Sequence, residues 1–312
     1  TAYDKAGRVI SETDANKHTT RYRYGKTGLV SEITDALGQK ALFEYDALGN
    51  VTKITAPGNA VTQYAYDISG RLTMQTDATG LVTEYGYDEN SQLISVVTNG
   101  NESLYEYDAM GNVSSVTDAE GRCIKLSYNL NGNLTEIIYP DGTKDVTEYD
   151  ALGRVVQSTP RTGLATAYAY DESGNVVRMT QGEQTTAYEY DLLGRMVRQI
   201  AADGTETAYA YDALGNLVGQ TDELGNQTTF SYTAESLLEQ VTYANGASQS
   251  LSYDLAGNII GETDAEGNAK QYQYDKANRL IAVVDELGGK TSYAYDAMDH
   301  IVQVTDALRH AT

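Results

Sequence analysis

Carboxylates are the most abundant groups in this chain that could do chemistry, since 44 of its residues are aspartate or glutamate. Paired carboxylates can act as general acid and base or hold a cation. The aspartates, however, recur in an Asp-x-x-Gly pattern, as in Asp67–Gly70 and Asp171–Gly174. Aspartate and glycine at that spacing are the usual residues of a tight turn. A calcium loop of the Asp-x-Asp-x-Asp-Gly kind is absent. The pattern predicts structural turns and no metal site.

The other reactive side chains are few and isolated. Cys123 is the only cysteine, so no intramolecular disulfide can form. The histidines show no HxxxH or HExxH spacing of a zinc site; they are His18, His300 and His310. Neither a phosphate-binding Gly-x-x-x-x-Gly-Lys loop nor a Gly-x-Ser-x-Gly nucleophile elbow occurs. The sequence predicts no enzyme, no catalytic residue and no cofactor.

Tyrosine sets the organisation of the chain. Of 28 aromatic residues 26 are tyrosine, and fifteen of them, here called the anchor tyrosines, follow one another at intervals of 21 with two intervals of 20. They are Tyr3, Tyr24, Tyr45, Tyr66, Tyr87, Tyr107, Tyr128, Tyr149, Tyr170, Tyr190, Tyr211, Tyr232, Tyr253, Tyr274 and Tyr295. A fixed period of this length is the signature of a repeat protein. Because no segment differs in composition from its neighbours, residues 1–312 are predicted to form a single array.

Each repeat contains two strand patterns and two turn patterns. An anchor strand ends at the anchor tyrosine and carries a second aromatic, the upstream ring, two residues earlier, which places both rings on one face. An anchor turn of the Asp-x-x-Gly type follows, then a return strand such as Leu217–Thr221, then a connecting turn such as Asp222–Gly225. In three repeats the upstream ring is replaced by a residue that is not aromatic, namely Leu126, Thr147 or Leu251. The upstream rings are Tyr22, Phe43, Tyr64, Tyr85, Tyr105, Tyr168, Tyr188, Tyr209, Phe230, Tyr272 and Tyr293.

The anchor tyrosine and the aspartate and glycine of the anchor turn that follows it are the predicted structural anchors of each repeat. In seven repeats these residues are Tyr45, Asp46 and Gly49; Tyr66, Asp67 and Gly70; Tyr107, Asp108 and Gly111; Tyr149, Asp150 and Gly153; Tyr170, Asp171 and Gly174; Tyr190, Asp191 and Gly194; and Tyr211, Asp212 and Gly215.

A turn about every ten residues leaves no room for helices and predicts an all-β antiparallel meander of some thirty short strands. A sheet of that many twisted strands must curl. Which face of the sheet lies inside the curl stays open. Return strands carry aliphatic residues at consecutive positions, such as Leu217 and Val218, which point to opposite faces of a regular strand. Glycine is replaced in the anchor turns at Ser91, Ser236, Asn278 and Asp299, and these turns are expected to bulge differently.

The net charge of −22 argues against binding to nucleic acid or to anionic membranes, both of which need basic patches. No apolar run reaches the length of a membrane span, so this segment is not expected to insert into a membrane. The chain starts at Thr1 and stops at Thr312 in mid-repeat, and it is interpreted as a fragment of a larger protein. Unpaired strand edges at both ends predict self-association or poor solubility, unless the terminal strands fray or are covered.

The phrase Tyr-Asp-Ala-Leu-Gly-Asn/Arg, as at Tyr211–Asn216 and Tyr149–Arg154, resembles the YD repeat of the Rhs family over essentially the whole chain. That family includes bacterial Rhs and wall-associated polymorphic toxins, the C components of Tc toxins, and teneurins. The resemblance implies strands that wind as a spiral into a hollow β-shell and, in bacterial members, enclose a C-terminal toxin or effector segment. It also implies a secreted or cell-surface location. The family's terminal core module, with its Asp-Pro motif and self-cleaving aspartates, is not found here.

Three functional interpretations follow. The first is a non-catalytic wall segment of an encapsulating shell, whose partner is the C-terminal toxin or effector segment of the parent chain. The second is a cell-surface adhesion or carbohydrate-binding module, in which exposed tyrosine rows stack against sugar rings of surface glycans. A plain stalk or spacer is the third, and the expected curling of the sheet disfavours it.

Overall fold

The computed structural model describes residues 1–312 as thirty short strands with no α-helix. The predicted all-β meander is therefore confirmed. The strands are β1 (Ala2–Tyr3), β2 (Val9–Thr13), β3 (Thr19–Tyr24), β4 (Val30–Thr34), β5 (Lys40–Tyr45), β6 (Val51–Thr55), β7 (Val61–Tyr66), β8 (Leu72–Thr76), β9 (Val82–Tyr87), β10 (Leu93–Thr98), β11 (Asn101–Tyr107), β12 (Val113–Thr117), β13 (Cys123–Tyr128), β14 (Leu134–Ile138), β15 (Lys144–Tyr149), β16 (Val155–Thr159), β17 (Thr166–Tyr170), β18 (Val176–Gln181), β19 (Gln184–Tyr190), β20 (Met196–Ile200), β21 (Glu206–Tyr211), β22 (Leu217–Thr221), β23 (Gln227–Tyr232), β24 (Leu238–Thr242), β25 (Ser248–Tyr253), β26 (Ile259–Thr263), β27 (Ala269–Tyr274), β28 (Leu280–Val284), β29 (Lys290–Tyr295) and β30 (Ile301–Thr305).

Odd-numbered strands are anchor strands and even-numbered strands are return strands. The single 3-10 turn, Pro57–Asn59, is a connecting turn between β6 and β7. No helix is long and apolar enough to cross a membrane.

Each anchor strand forms an antiparallel hairpin with the return strand that follows it. In β5 and β6, Phe43 pairs with Ile54 and Glu44 with Lys53, but Tyr45 pairs with Val51. Thr52 is thus an extra residue, and the hairpin carries a β-bulge next to its turn. The same register shift recurs at the anchor tyrosine along the chain, for example at Tyr149, Tyr211 and Tyr295.

The bulge explains why return strands carry aliphatic residues on both parities. Tyr211 pairs with Leu217, and the next pair is Ala210 with Gly219, so Leu217 and Val218 together oppose one tyrosine. Two residues facing one partner break the strict alternation of side chains along a strand. A sequence rule with period two therefore cannot assign these positions to a face.

Successive hairpins are joined by a shorter ladder. Between β6 and β7 the pairs are Thr55 with Val61, Ile54 with Thr62 and Lys53 with Gln63, and no pair continues toward the anchor turn. The end of the sheet nearest the anchor turns is therefore held by fewer backbone hydrogen bonds between hairpins than within them.

The chain divides into two compact units: unit 1 comprises residues 1–81 and 228–312, and unit 2 comprises residues 82–227. Within unit 1, connecting turns of the first repeats meet anchor turns of the last ones. The Asn16 side-chain amide donates to Asp254 Oδ2 at 2.9 Å, and the Asn278 amide donates to Asp14 Oδ2 at 3.3 Å. This contact between turns is here called the seam.

Neither unit encloses a conventional hydrophobic core. The only buried residues of the chain are Ser115, Gly219 and Ala282. Along anchor strands such as β5 and β21, exposed and half-buried residues alternate, with both rings on the half-buried face. The units are thus single sheets whose cohesion lies in strand pairing and in side-chain contacts along one face.

The expectation that glycine-free anchor turns bulge differently is wrong. Ser91, Ser236, Asn278 and Asp299 have φ between +60° and +67°, the left-handed conformation that glycine adopts elsewhere. Their backbone N–H groups donate to the residue three positions earlier, as glycine does; for Asn278 the distance to the Asp275 carbonyl oxygen is 3.0 Å. The hairpin imposes the left-handed conformation, which is about 1 kcal/mol less favourable for these residues than for glycine.

Candidate functional site

The anchor turn is built by a single aspartate that binds backbone and side chain at once. Asp46 Oδ1 accepts hydrogen bonds from the backbone N–H groups of Leu48 and Asn50, both at 2.9 Å. Asp46 Oδ2 accepts the Asn50 side-chain amide at 2.9 Å. The Gly49 N–H donates to the Asp46 carbonyl at 3.2 Å, which closes the turn. The prediction that aspartate opens and glycine closes this turn is confirmed.

Arginine or histidine takes the place of asparagine in other anchor turns. Arg154 Nε lies 2.7 Å from Asp150 Oδ2, and Arg195 Nε lies 2.7 Å from Asp191 Oδ2. These hydrogen bonds favour the ionised carboxylate. The pKa of Asp150 lies below its ordinary value because the Arg154 backbone N–H donates to it, and the Arg154 guanidinium lowers it further. At Asp46 the largest cause of the lowered pKa is the Asn50 side chain.

The predicted anchors of each repeat come together at one hairpin end. The tyrosine ends its strand, the aspartate opens the turn and the glycine follows with positive φ. The values of φ are 90° at Gly49, 80° at Gly70, 89° at Gly111, 80° at Gly153, 92° at Gly174, 76° at Gly194 and 93° at Gly215. Anchors of neighbouring repeats share a groove, as where Asp171 lies with Tyr190, Asp191 and Gly194. Their role as structural anchors stays a prediction.

The anchor tyrosine reaches from its own hairpin to the previous one. The Tyr66 hydroxyl donates to the carbonyl oxygen of Val51 at 2.9 Å, at the end of the β6–β7 pair where the ladder is missing. The same bond joins Tyr24 to Val9, Tyr45 to Val30, Tyr107 to Leu93, Tyr149 to Leu134, Tyr170 to Val155, Tyr190 to Val176, Tyr211 to Met196, Tyr253 to Leu238 and Tyr295 to Leu280.

Sequence reasoning missed this hydroxyl bond, although a signal for it was present. Every anchor position is tyrosine, whereas both phenylalanines of the chain, Phe43 and Phe230, are upstream rings. The upstream hydroxyls of Tyr22 and Tyr272 donate to glutamates of the neighbouring strand, whereas those of Tyr168 and Tyr209 make no hydrogen bond. The upstream position therefore accepts a ring without a hydroxyl, while the anchor hydroxyl donates to a carbonyl beyond the end of the ladder between hairpins.

Arginine adds a second link between hairpins. The Arg154 guanidinium carbon lies 4.6 Å from the centre of the Tyr170 ring, and its Nη1 donates to the Asp171 carbonyl at 3.3 Å. In the same way, the Arg195 guanidinium carbon lies 4.8 Å from the centre of the Tyr211 ring, and its Nη1 donates to the Asp212 carbonyl at 3.0 Å. Cation–π contacts and charge-assisted hydrogen bonds thus fasten one anchor turn to the next.

The remaining candidate side chains do not form a reactive site. His18, His300 and His310 each lie four residues after a turn aspartate, with Nδ1 3.0–3.3 Å from its carboxylate. No group of three or more histidine, cysteine, aspartate or glutamate side chains converges on one point. Cys123 is half-buried at the start of β13. Tyr139, outside both aromatic columns, donates to Asp145 Oδ2 at 2.7 Å.

Within each unit, anchor turns lie at one end of the strands and connecting turns at the other. Two open grooves lie between neighbouring anchor turns, for example the groove lined by Asp171, Tyr188, Tyr190 and Leu193. Another lies at the seam beside Pro57 and Ala297, and a fourth lies over strands β25–β27. The contacts that these side chains make join one repeat to the next.

Solved structures share this fold. The crystal structure of TcdB2-TccC3-Cdc42 superposes on 98% of the chain with a TM-score of 0.82 at 16% identity. The Tc holotoxin pore of Photorhabdus luminescens, with a mutation in TccC3, matches 94% of the chain with a TM-score of 0.74 at 16% identity. The chain spans only 20% and 18% of those two proteins. At this identity the likeness shows the fold alone.

No curated protein sequence matches the chain significantly. The family model described as the RHS repeat matches ten overlapping or adjacent segments. These are residues 3–40, 45–82, 69–103, 87–122, 107–144, 149–186, 190–223, 211–248, 253–290 and 274–311. The matches cover nearly the entire array, in agreement with the tyrosine period and the hairpin fold, and so the chain belongs to the RHS repeat family.

Proposed function

We propose that this chain is a non-catalytic wall segment of an encapsulating shell that sequesters a C-terminal toxin or effector segment for delivery. The observation that carries the proposal is the absence of an interior. With only Ser115, Gly219 and Ala282 buried, 312 residues form sheet and almost no core. A globular domain of this length would bury most of its apolar side chains against a second layer. A sheet without a second layer of its own is the structure expected for the wall of a shell.

The half-buried face of the sheet supports a role in contacting an unfolded segment. It carries the anchor and upstream rings and the aliphatic residues opposite them, such as Phe43 with Ile54 and Tyr45 with Val51. These apolar groups remain partly accessible, and extended chains with exposed hydrophobic residues bind such surfaces. On this proposal the Tyr-Asp-Gly anchors are structural: they hold the wall together, and the cargo touches the rings between them.

The proposal includes the single continuous array of residues 1–312, a secreted or cell-surface location and the toxin or effector segment as partner. It is supported by membership in the RHS repeat family and by the fold shared with Tc toxin structures. Because the chain spans about a fifth of those proteins, enclosure requires further parts of the parent polypeptide.

Protease protection tests the proposal directly. In the parent polypeptide that carries this array, the C-terminal segment is expected to resist protease while the wall is intact. It is expected to be digested once several anchor tyrosines, such as Tyr149, Tyr170 and Tyr211, are changed to alanine. The matched control changes the exposed turn residues Leu152, Leu193 and Leu214 to serine, which leaves the hairpins unaltered. Digestion of the segment at equal rates in all three proteins would refute enclosure.

The adhesion or carbohydrate-binding alternative has no specific observation in its favour. The anchor hydroxyls that could bind sugars are already donated to backbone carbonyls, as at Tyr170 and Tyr211. A glycan-binding screen separates the two functions. Saturable binding that is lost when Tyr168 and Tyr209 become alanine would establish the alternative.

A further inference from the structure

The anchor turns of unit 2 carry a row of exposed aliphatic side chains. Two residues after the turn aspartate lie Met110, Leu152, Leu193 and Leu214, here called the tip row, with exposed fractions of 63%, 79%, 77% and 76%; Asn131 and Ser173 hold this position in the turns between them. Isolated exposed leucines are common on proteins, but a row of them along one edge indicates a contact surface. Turn geometry does not require leucine there, because Ser69 and Ser173 occupy the same position in other repeats.

The same position is covered where the seam of unit 1 passes over it. Met298 corresponds to the tip-row residues, yet it is only 42% exposed. It lies with Ala297 over the connecting turn of an early repeat: a Cβ placed on Gly58 would be 3.6 Å from Ala297 Cβ and 3.7 Å from Met298 Cγ. The seam therefore shows what surface an anchor-turn tip fits, namely a connecting turn.

Polar contacts fix the alignment of the seam. The Asn16 amide on a connecting turn donates to Asp254 on an anchor turn, and the Asn278 amide on an anchor turn donates to Asp14 on a connecting turn. Apolar tips and reciprocal amide–carboxylate bonds thus join two edges that are different in kind. In the seam, an edge of one kind contacts an edge of the other kind.

We propose that the tip row of unit 2 is a docking edge whose occupant is the row of connecting turns of a second copy of this chain. Every copy carries both edges, and the seam already joins such edges within one chain. Since the two edges differ, the contact is heterologous and propagates head to tail, giving open oligomers instead of closed dimers. The charge of −22 opposes association, so screening by salt strengthens it.

A different route to self-association is pairing at the free strand edge of β30. Part of that edge is already occupied, because Val304 exchanges two backbone hydrogen bonds of 2.9 Å with Thr312. Val302 is the bulge residue opposite Tyr295, so its N–H points toward β29, and the outward donor of β30 is the Val304 N–H. The change Val304→Pro removes this outward donor without touching the N–H groups that pair with β29.

Sedimentation velocity of the 312-residue chain at high salt over a wide concentration range tests the proposal. The wild-type chain is expected to form a ladder of oligomers. The combined variant Leu152→Ser, Leu193→Ser and Leu214→Ser is expected to associate at least about tenfold more weakly. The control Ile94→Ser and Leu104→Ser removes exposed aliphatic side chains from strands of the same unit and is expected to behave like wild type.

The outcomes separate the two routes. A wild-type chain that stays monomeric at every concentration overturns the proposal. So does a tip-row variant that associates as strongly as wild type while its circular dichroism is unchanged. Loss of association in Val304→Pro, with an intact tip row, also overturns it and assigns the contact to strand edges. Retained association in Val304→Pro together with loss in the tip-row variant supports docking by turns.

Discussion

The anchor hydroxyls provide the sharpest test of how this array is held together. We predict that changing Tyr149, Tyr170, Tyr190 and Tyr211 together to phenylalanine destabilises the chain, although every ring is kept. Each hydroxyl donates to a carbonyl of the previous hairpin, at distances of 2.8, 2.6, 2.9 and 2.9 Å. The carbonyl loses its only donor from the next hairpin, at the end of the sheet where the backbone ladder has stopped.

The expected size of the effect follows from the number of bonds. One hydrogen bond contributes a net free energy of about 1 kcal/mol. Neighbouring hairpins are about 10 Å apart, so the four losses add to about 4 kcal/mol. With an unfolding entropy of about 2.1 cal/mol/K per residue, the whole 312-residue chain has about 0.65 kcal/mol/K. The expected decrease in Tm is therefore about 6 °C.

The matched control makes the same change at four upstream rings of the same unit, Tyr105, Tyr168, Tyr188 and Tyr209. Their hydroxyls make no hydrogen bond in the structure, and phenylalanine already occupies this column at Phe43 and Phe230. Differential scanning calorimetry of both variants gives the comparison, with urea unfolding as a second measurement. Equal stability of the two variants would refute the assignment of the hydroxyl bond as a link between hairpins.

Three further predictions concern the turns and the seam. Gly174→Ala should lower the free energy of unfolding by about 1 kcal/mol, because φ there is +92° and nothing lies near the added Cβ, whereas Gly25→Ala should be neutral in the same urea titration. Asp150→Asn should be less stable than wild type above about pH 4, since the lowered pKa of Asp150 gives stability that is present above the unfolded pKa. That stability is lost as pH falls through the folded pKa, so the two urea midpoints should converge in acid; a constant difference would contradict the assignment. Asn16→Ala should accelerate hydrogen exchange on both sides of the seam, while Asn50→Ala, which removes a bond inside one turn, should act only locally.

The glycine-free turns show that strand pairing can override the conformational preference of a single residue. Ser91 and Asn278 were expected to distort their turns, yet they adopt positive φ like glycine. A propensity rule describes what a residue prefers by itself. The strand pairing on either side of the turn outweighs a preference of about 1 kcal/mol, and so the sheet decides the conformation.

The sequence by itself determined the repeat, the number and order of the strands and the chemistry of the turns. Those features depend on residues within a few positions of one another, such as Asp46 with Gly49, and local chemistry is readable from types and spacing. The resemblance to the RHS repeat was equally direct, because the phrase recurs in fifteen repeats.

Only the tertiary structure decided how the repeats are joined. The Tyr66 hydroxyl binds a carbonyl 15 residues away, across a strand pair whose ladder has ended. The bulge opposite Tyr211 places two aliphatic residues against one ring, which a period of two cannot describe. The seam joins Asn16 to Asp254 over 238 residues, and each of them reads in the sequence as an ordinary turn residue. Contacts of this kind depend on the accumulated twist of many strands, and no local spacing encodes where that twist brings the chain back to itself.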